Sequence, residues 1–429
     1  MQKKLVVISI DAMGAEDLVG DLSMTPTLES FKAEGTHVQE VEPIYPSLTY
    51  PSHTSIVTGV YPKSHGIINN TKLQPEATSP DWFWYRKDVQ VPTLYDVAHE
   101  QGLKTAAFLW PVTAKSKVDY NIAEIFPNRI WNNQVLVSLQ ASSPLFLFEM
   151  NRKFGKLRQG IKQPFLDDFV TACAVETLKS KQPDLTLIHL VDMDSQRHAH
   201  GVRSTEAQDA FLRQDKRVKA IIDATKEAGT YDQTVFAILG DHYQIDVSKM
   251  IRLNHEFASR GWQEAGKLGT TKRGWQVFAK SCDGSTYIYC NRDSPVATKD
   301  IRDVIESVEG VEVIYTTEEV KAQGGASNCT FMVEAKRGYY FNDESQGPTI
   351  EMVEDDEIGL PNRYKAVHGF SPKKENYQTT IMFKGPGIKA GHTILSAKLV
   401  DEGPTFAKIL ELTRFPRAVD GNVIMDIFK

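Results

Sequence analysis

Four short apolar runs constrain this chain more than any other feature: Leu5–Ile10, Ala106–Trp110, Leu185–Val191 and Val235–Leu239. Each is far too short to span a membrane, and none shows the strict alternation of a strand with one wet face. Runs of this length suit strands buried on both sides, as in a parallel sheet covered by helices. Helical stripes lie between them. Leu166, Phe169, Val170 and Cys173 share one face behind Pro164. Ala207, Ala210, Phe211, Val218, Ile221 and Ile222 share another in a segment closing near Gly229, and Thr93 to Gln101 reads as a helix closed by Gly102. Strands alternating with helices predict a doubly wound α/β fold, with a mostly parallel central sheet and ligands beyond the carboxyl ends of its strands.

Three of the runs end at a carboxylate. Asp11 follows Ile10, Asp194 follows Leu185–Val191 after a short gap, and Asp241 follows Leu239-Gly240. Taken singly, each has a plainer role as a helix cap or a loop acid. Their shared placement predicts one site. Asp194 and His198 are four apart, a spacing that lets both hold one ion on a helix or in a loop; His200 shares the segment, and spacing alone does not choose between the histidines. Asp241-His242 at the end of a buried strand is costly without a compensating cation. His368, in Val367-His368-Gly369-Phe370, has the weakest individual case. Thr49 lies between Pro46 and Pro51, and a helix beginning near Pro51 would aim its free amides at an anion beside the hydroxyl. A bound metal would make that hydroxyl a nucleophile.

The segment 246–365 has a different pattern. Ser285–Tyr289, Val311–Tyr315 and Cys329–Val333 read as strands around a helix carrying Ile301, Val304, Ile305 and Val308. We expect an inserted α+β cap over 246–365, with a catalytic core formed by 1–245 and 366–429. The core resumes at Thr379–Phe383 and ends in a helix around Pro404 to Leu412.

At 429 residues, 41% hydrophobic and 24% charged, the composition is that of a soluble globular protein. The net charge of -6 argues against binding nucleic-acid duplexes through their phosphates. Four cysteines without CxxC spacing are expected to be scattered thiols. The run after Met1-Gln2-Lys3-Lys4 stops at Asp11, so it reads as a first strand rather than a signal peptide. No stretch approaches a membrane span, and the expected location is cytoplasmic.

In order and context these pieces resemble the alkaline phosphatase superfamily, and within it the nucleotide pyrophosphatase/phosphodiesterase, or type I phosphodiesterase, family. The resemblance rests on Ile8-Ser9-Ile10-Asp11, on Tyr45-Pro46-Ser47-Leu48-Thr49-Tyr50-Pro51-Ser52-His53 and on Thr58 to Ile67. It continues through Asp194 to Gly201, Gly240-Asp241-His242 and His368-Gly369. It implies an alkaline phosphatase-like fold and two zinc ions, with manganese or iron admitted by the same donors. One ion would be held by Asp194, His198 and His368, the other by Asp11, Asp241, His242 and the nucleophile Thr49. Asn70 would contact a non-bridging phosphate oxygen, and Tyr50 would line the pocket for a nucleoside or other ester group. The implied activity is hydrolysis of a small phosphate diester or phosphoanhydride through a phosphothreonine. A phosphomonoesterase or a phosphonoacetate hydrolase-like C–P hydrolase would use the same metals. A non-catalytic metal-binding protein is the alternative from another class, and a sulfatase is a weak rival because its nucleophile is generated from a Cys or Ser and Thr49 cannot supply it. Two departures from the family pattern bear on pocket shape: Tyr243-Gln244 follows His242 where glycine is usual, and Arg197 precedes His198 where a small residue is common.

Overall fold

The apolar runs form the middle of one eight-stranded sheet. A computed structural model describes residues 3–129, 133–416 and 419–429. The first six strands are β1 (Lys4–Ile10), β2 (Thr36–Glu42), β3 (Thr105–Phe108), β4 (Tyr120–Ile122), β5 (Leu185–Leu190) and β6 (Thr234–Leu239). Strands β7 (Ile245–Ile251), β8 (Val277–Ser281), β9 (Ser285–Cys290), β10 (Val311–Thr316), β11 (Phe331–Ala335), β12 (Gly338–Phe341), β13 (Ile350–Met352) and β14 (Ala366–Val367) follow, then β15 (Thr379–Lys384) and β16 (His392–Lys398). The large sheet has the order β16-β2-β15-β6-β1-β5-β3-β4. Only β15 runs against its neighbours, pairing antiparallel with both β2 and β6.

Both faces of the central strands are dry, as the uninterrupted runs predict. Leu5 and Val7 of β1 join Leu185, Leu187, Val235 and Ala237 in a core on one face. It is covered by the helices Thr49–Thr58, Leu94–Glu100 and Glu402–Ile409 through Ile56, Val97 and Phe406. Val6, Ile8 and Ile10 join Ile188, Leu190, Phe236 and Ile238 on the other face. There Phe31, Phe169, Cys173, Val218 and Ile221 come from the helices Pro26–Glu34, Phe165–Ser180 and Thr205–Glu227. Each such side chain contributes about 1.5–3 kcal/mol by leaving water. The fold is therefore a doubly wound α/β sheet with helices on both faces.

Some boundaries differ from expectation. β3 stops at Phe108 rather than Trp110, because Leu109 takes φ 50 and turns the chain. β11 begins at Phe331, and the last long helix spans Glu402–Ile409. Strands β2 and β16 carry no apolar run: β2 is exposed at Glu40 and Glu42, and β16 alternates half-exposed residues along the sheet edge. All four cysteines are free thiols.

Between β6 and β15 the chain builds two smaller sheets. One is antiparallel, in the order β10-β11-β9-β8; in the other, β7 pairs with β12, β13 and β14. They share their own apolar core, including Ile251, Phe257, Ile288, Ile305, Val333 and Phe370. The tip of the β8–β9 hairpin reaches back to the large sheet's site, where the Gly284 amide donates to the His368 carbonyl at 2.8 Å.

Candidate active site

β6, β1 and β5 are neighbours and parallel, so their carboxyl ends open on the same edge. Asp11 directly follows β1, Asp241 lies two residues beyond β6, and the helix Asp192–His200 begins two residues beyond β5. That helix places Asp194 in its first turn and His198 one turn later on the same face, with Asp194 Oδ1 3.4 Å from His198 Nε2. His198 Nδ1 donates to the Ala366 carbonyl at 2.8 Å, turning Nε2 toward the site. His368, just past β14, completes this first group, and the donor atoms of Asp194, His198 and His368 lie within 4.8 Å of one another.

Asp11, Asp241 and His242 form a second group within the same 4.8 Å limit, and all three residues are buried. His242 Nε2 is 3.3 Å from Asp11 Oδ1, 3.2 Å from Asp241 Oδ2 and 3.0 Å from the Thr49 hydroxyl. The two groups adjoin through the His242 and His368 rings, whose centroids are 4.1 Å apart. Among the described residues His200 belongs to neither group, and His198 is the histidine whose ring nitrogen lies with Asp194 and His368.

The carboxylates are divided in a telling way. Asp11 Oδ2 accepts from His189 Nε2 at 3.0 Å, and Asp241 Oδ1 accepts from the Ala12 amide at 3.2 Å. Their other oxygens, Asp11 Oδ1 and Asp241 Oδ2, face the site and are buried without a hydrogen-bond partner. A buried charged oxygen left so costs several kcal/mol unless a cation compensates it. Burial, reinforced by the charge of Asp194, pushes the Asp11 carboxyl up to about 7. Burial and then Asp11 push Asp241 well above the usual carboxylate range. Burial also drives His242 well below its ordinary value and His368 down to about 3, so both rings are neutral and able to ligate. The residues fit a pair of divalent cations.

Thr49 is the first residue of the helix Thr49–Thr58, which begins earlier than the expected start near Pro51. The Tyr50 amide is not free for an anion, since it donates to Asn70 Oδ1 at 2.9 Å; the Asn70 amide group is thereby turned the other way. Tyr50 itself is fully buried, its ring edge-on to Trp82 at 5.2 Å. Asn70 and Trp82, not Tyr50, lie on the wall of a cavity of about 590 Å³ beside the site.

Two supporting histidines escaped the sequence reading. His53 donates from Nδ1 to the Thr49 carbonyl at 2.8 Å, and its Nε2 meets Ser9 Oγ at 2.9 Å. His189 lies within β5 between Asp11 and Glu124, with Nδ1 3.1 Å from the Leu109 carbonyl and 3.4 Å from Glu124 Oε2. Burial opposes its protonation, but hydrogen bonds and charge from Asp11 and Glu124 outweigh that and hold its pKa well above the ordinary value. A histidine inside a buried apolar run was the available signal.

The two departures prove to be one adjustment. The Arg197 guanidinium is buried, bonds to Asp17 at 2.6 Å and to the Ala12 carbonyl, and stacks 5.0 Å from the centroid of the Tyr243 ring. Gln244 donates to Asp194 Oδ1, the oxygen nearest His198. Arg197 and Tyr243 therefore pack against each other, and Gln244 donates to a site carboxylate.

A large, mostly parallel sheet with two groups of metal donors flanking an alcohol at its carboxyl edge is the layout of the alkaline phosphatase superfamily. The model of the type I phosphodiesterase/nucleotide pyrophosphatase family matches residues 5–371, and the chain belongs to that family. It is 27% identical over 264 residues to human ectonucleotide pyrophosphatase/phosphodiesterase family member 1, covering 58% of this chain and 24% of that protein. It is 24% identical over 258 residues to venom phosphodiesterase 2 of Crotalus adamanteus, covering 58% of this chain and 27% of that one. The chain thus spans about a quarter of the length of these curated relatives. The structure of human ectonucleotide pyrophosphatase/phosphodiesterase 5 superposes with a TM-score of 0.71 at 16% identity, covering 100% of both chains, and so shares the fold.

Proposed function

We propose that this chain is a metal-dependent phosphodiesterase in which Thr49 is the nucleophile. The observation that carries the reading is the pair of buried, unpartnered oxygens, Asp11 Oδ1 and Asp241 Oδ2, set around His242 Nε2 beside the Thr49 hydroxyl. Asp11, Asp241, His242 and Thr49 would hold one divalent cation, and Asp194, His198 and His368 the other. Neutral imidazoles mixed with carboxylates favour zinc, and manganese or iron can use the same donors. When bound, the two cations supply the positive charge that lowers the pKa of an alcohol and stabilises a leaving oxygen.

The side chains of this protein divide the remaining work. The Thr49 hydroxyl gives up its proton to solvent and Oγ1 forms a bond to phosphorus as the bond to the leaving oxygen breaks; the leaving oxygen takes a proton from water, and a second water then cleaves the phosphothreonine ester, regenerating the hydroxyl. His53 fixes the Thr49 backbone from below, so the hydroxyl meets phosphorus from a set direction. The Asn70 amide group, freed by the Tyr50 contact, donates to a non-bridging oxygen. His189 and the Ala12 amide hold the outer oxygens of Asp11 and Asp241, keeping the inner ones aimed at the site. A murine relative of the same fold has been solved with AMP, which supports a nucleotide ester as a candidate substrate here.

The test is a rate comparison. Metal-loaded protein should cleave bis-p-nitrophenyl phosphate or the nitrophenyl ester of thymidine monophosphate faster than p-nitrophenyl phosphate, and chelation should abolish both rates. Faster turnover of the monoester would reassign the chain as a phosphatase. Full activity after chelation would end the metal reading.

A further inference from the structure

The cavity beside the site is walled by Trp82, Tyr340 and Tyr364 and by the carboxylates Asp283, Asp343 and Glu344. Its aromatic wall starts at the metal donors: the Tyr364 ring is 4.9 Å from His198 and 6.1 Å from Tyr340. Two of the carboxylates are neutralised by the protein itself. Asp343 is paired with Lys280 at 2.6 Å, and Glu344 with Arg252 at 2.9 Å. Asp283 is different. Among the described residues no lysine or arginine lies within ion-pair distance of it, and its nearest basic group is His368 Nδ1 at 3.9 Å, a ring that stays neutral as a ligand.

The backbone holds Asp283 in place. It is the tip of the β8–β9 hairpin and takes φ 62, a left-handed conformation that a non-glycine residue adopts at a cost. The turn closes through the Cys282 amide on the Ser285 carbonyl at 2.8 Å. Asn69 Nδ2 ties it to the loop carrying Asn70 by donating to the Ser281 carbonyl at 2.9 Å. Gly284 lies so close to Phe370 that a Cβ there would come within 2.4 Å of the ring. The hairpin thus presents to a cavity opening on the phosphate site one carboxylate with no lysine or arginine of its own, the Lys280 that shares the cavity wall being paired with Asp343.

We propose that Asp283 is a specificity-determining residue that makes this cavity accept a substrate ester arm bearing a positive charge and reject one bearing a negative charge. The inference rests on the phosphodiesterase reading above and narrows it. A carboxylate beside aromatic faces attracts an alkylammonium through charge and through the ring quadrupoles. The same carboxylate repels a second phosphate or a carboxylate, so a diester with a cationic arm is favoured over a substrate with a polyphosphate tail.

The experiment uses three p-nitrophenyl phosphodiesters that differ only in the other arm: 2-aminoethyl, ethyl and 2-carboxyethyl. In the metal-loaded protein, kcat/KM for the ammonium arm should exceed that for the carboxylate arm by about tenfold or more at low salt, and D283N should reduce the ratio to about threefold or less. Using the ratio cancels any general loss of activity in the variant. A wild-type ratio near one, an inverted order, or a ratio that survives D283N overturns the proposal. Calorimetry on the wild-type protein with 2-aminoethyl phosphate and 2-carboxyethyl phosphate reads the same preference without turnover or a variant. A preference that shrinks as salt is raised supports the proposal, and equal affinities overturn it. Chelator-sensitive hydrolysis of the ethyl diester tests the underlying reaction separately. If that hydrolysis is absent while calorimetry still favours the ammonium, the reaction falls and the charge selectivity stands.

Discussion

Replacing Asp11 with asparagine should have opposite effects on the metal-free and metal-loaded protein. Asp11 Oδ1 is buried without a partner, and burial with the nearby Asp194 pushes the carboxyl from 3.8 up to about 7. Because the folded-state pKa lies above the unfolded one, the native state binds more protons between those values. Stability of the metal-free protein therefore falls as pH rises from 3.8 through about 7, then levels off. A shift of roughly 3 units corresponds to a penalty on the order of 4 kcal/mol above that window, shared with the neighbouring acids. Asparagine keeps an acceptor for His189 and removes the charge. In EDTA at pH 8, D11N should therefore unfold at a higher urea concentration than wild type, by an amount worth a few kcal/mol; near pH 4 the two should nearly coincide. Adding zinc should reverse the order, since a cation at a hundred times its Kd stabilises the native state by about 2.7 kcal/mol and D11N has lost one of its ligands. If D11N is the less stable protein in EDTA at pH 8, or zinc stabilises both equally, the unpartnered oxygens do not await a cation.

Thr49→Ala should retain bound metal by elemental analysis while diester hydrolysis falls on the order of a thousandfold or more, with Thr49→Ser recovering part of the rate; an undiminished rate would make Thr49 a simple helix-start residue. Dialysis against chelator should remove activity and two equivalents of metal per chain, both returning with zinc, whereas a single equivalent would contradict the paired groups. Arg197→Ala strands Asp17 and unstacks Tyr243, so the denaturation midpoint should drop by the equivalent of about 3 kcal/mol, and lysine should rescue it only in part. Gly240→Ala sets a Cβ 1.8 Å from the Met13 carbonyl oxygen, and the resulting shift of Asp241 should lower both the melting temperature and activity, by about 2 kcal/mol or more in stability.

The central strands were legible because burial on both faces writes an uninterrupted apolar run, as in β1, β5 and β6. β2 and β16 were not, because pairing at this end of the sheet depends on backbone hydrogen bonds to distant strands and leaves little trace in side-chain pattern. The reversal of β15 was equally invisible, since strand direction is set by the path of the chain through the intervening 140 residues or so, not by local composition. Its place in the motif points Tyr50 to the pocket wall, whereas the helix turns it inward against Trp82.

From its order of residues alone, this chain specifies the α/β class and the acids and imidazoles that gather at one sheet edge, because periodicity and strand-end placement are local properties. Only the tertiary structure shows which oxygen of each acid is left without a partner, that Arg197 packs on Tyr243, and that a hairpin from the middle of the chain brings Asp283 to the candidate metal donors. Those facts depend on contacts between segments dozens to more than two hundred residues apart, in which each group's hydration and hydrogen bonding are decided by neighbours that no local pattern names.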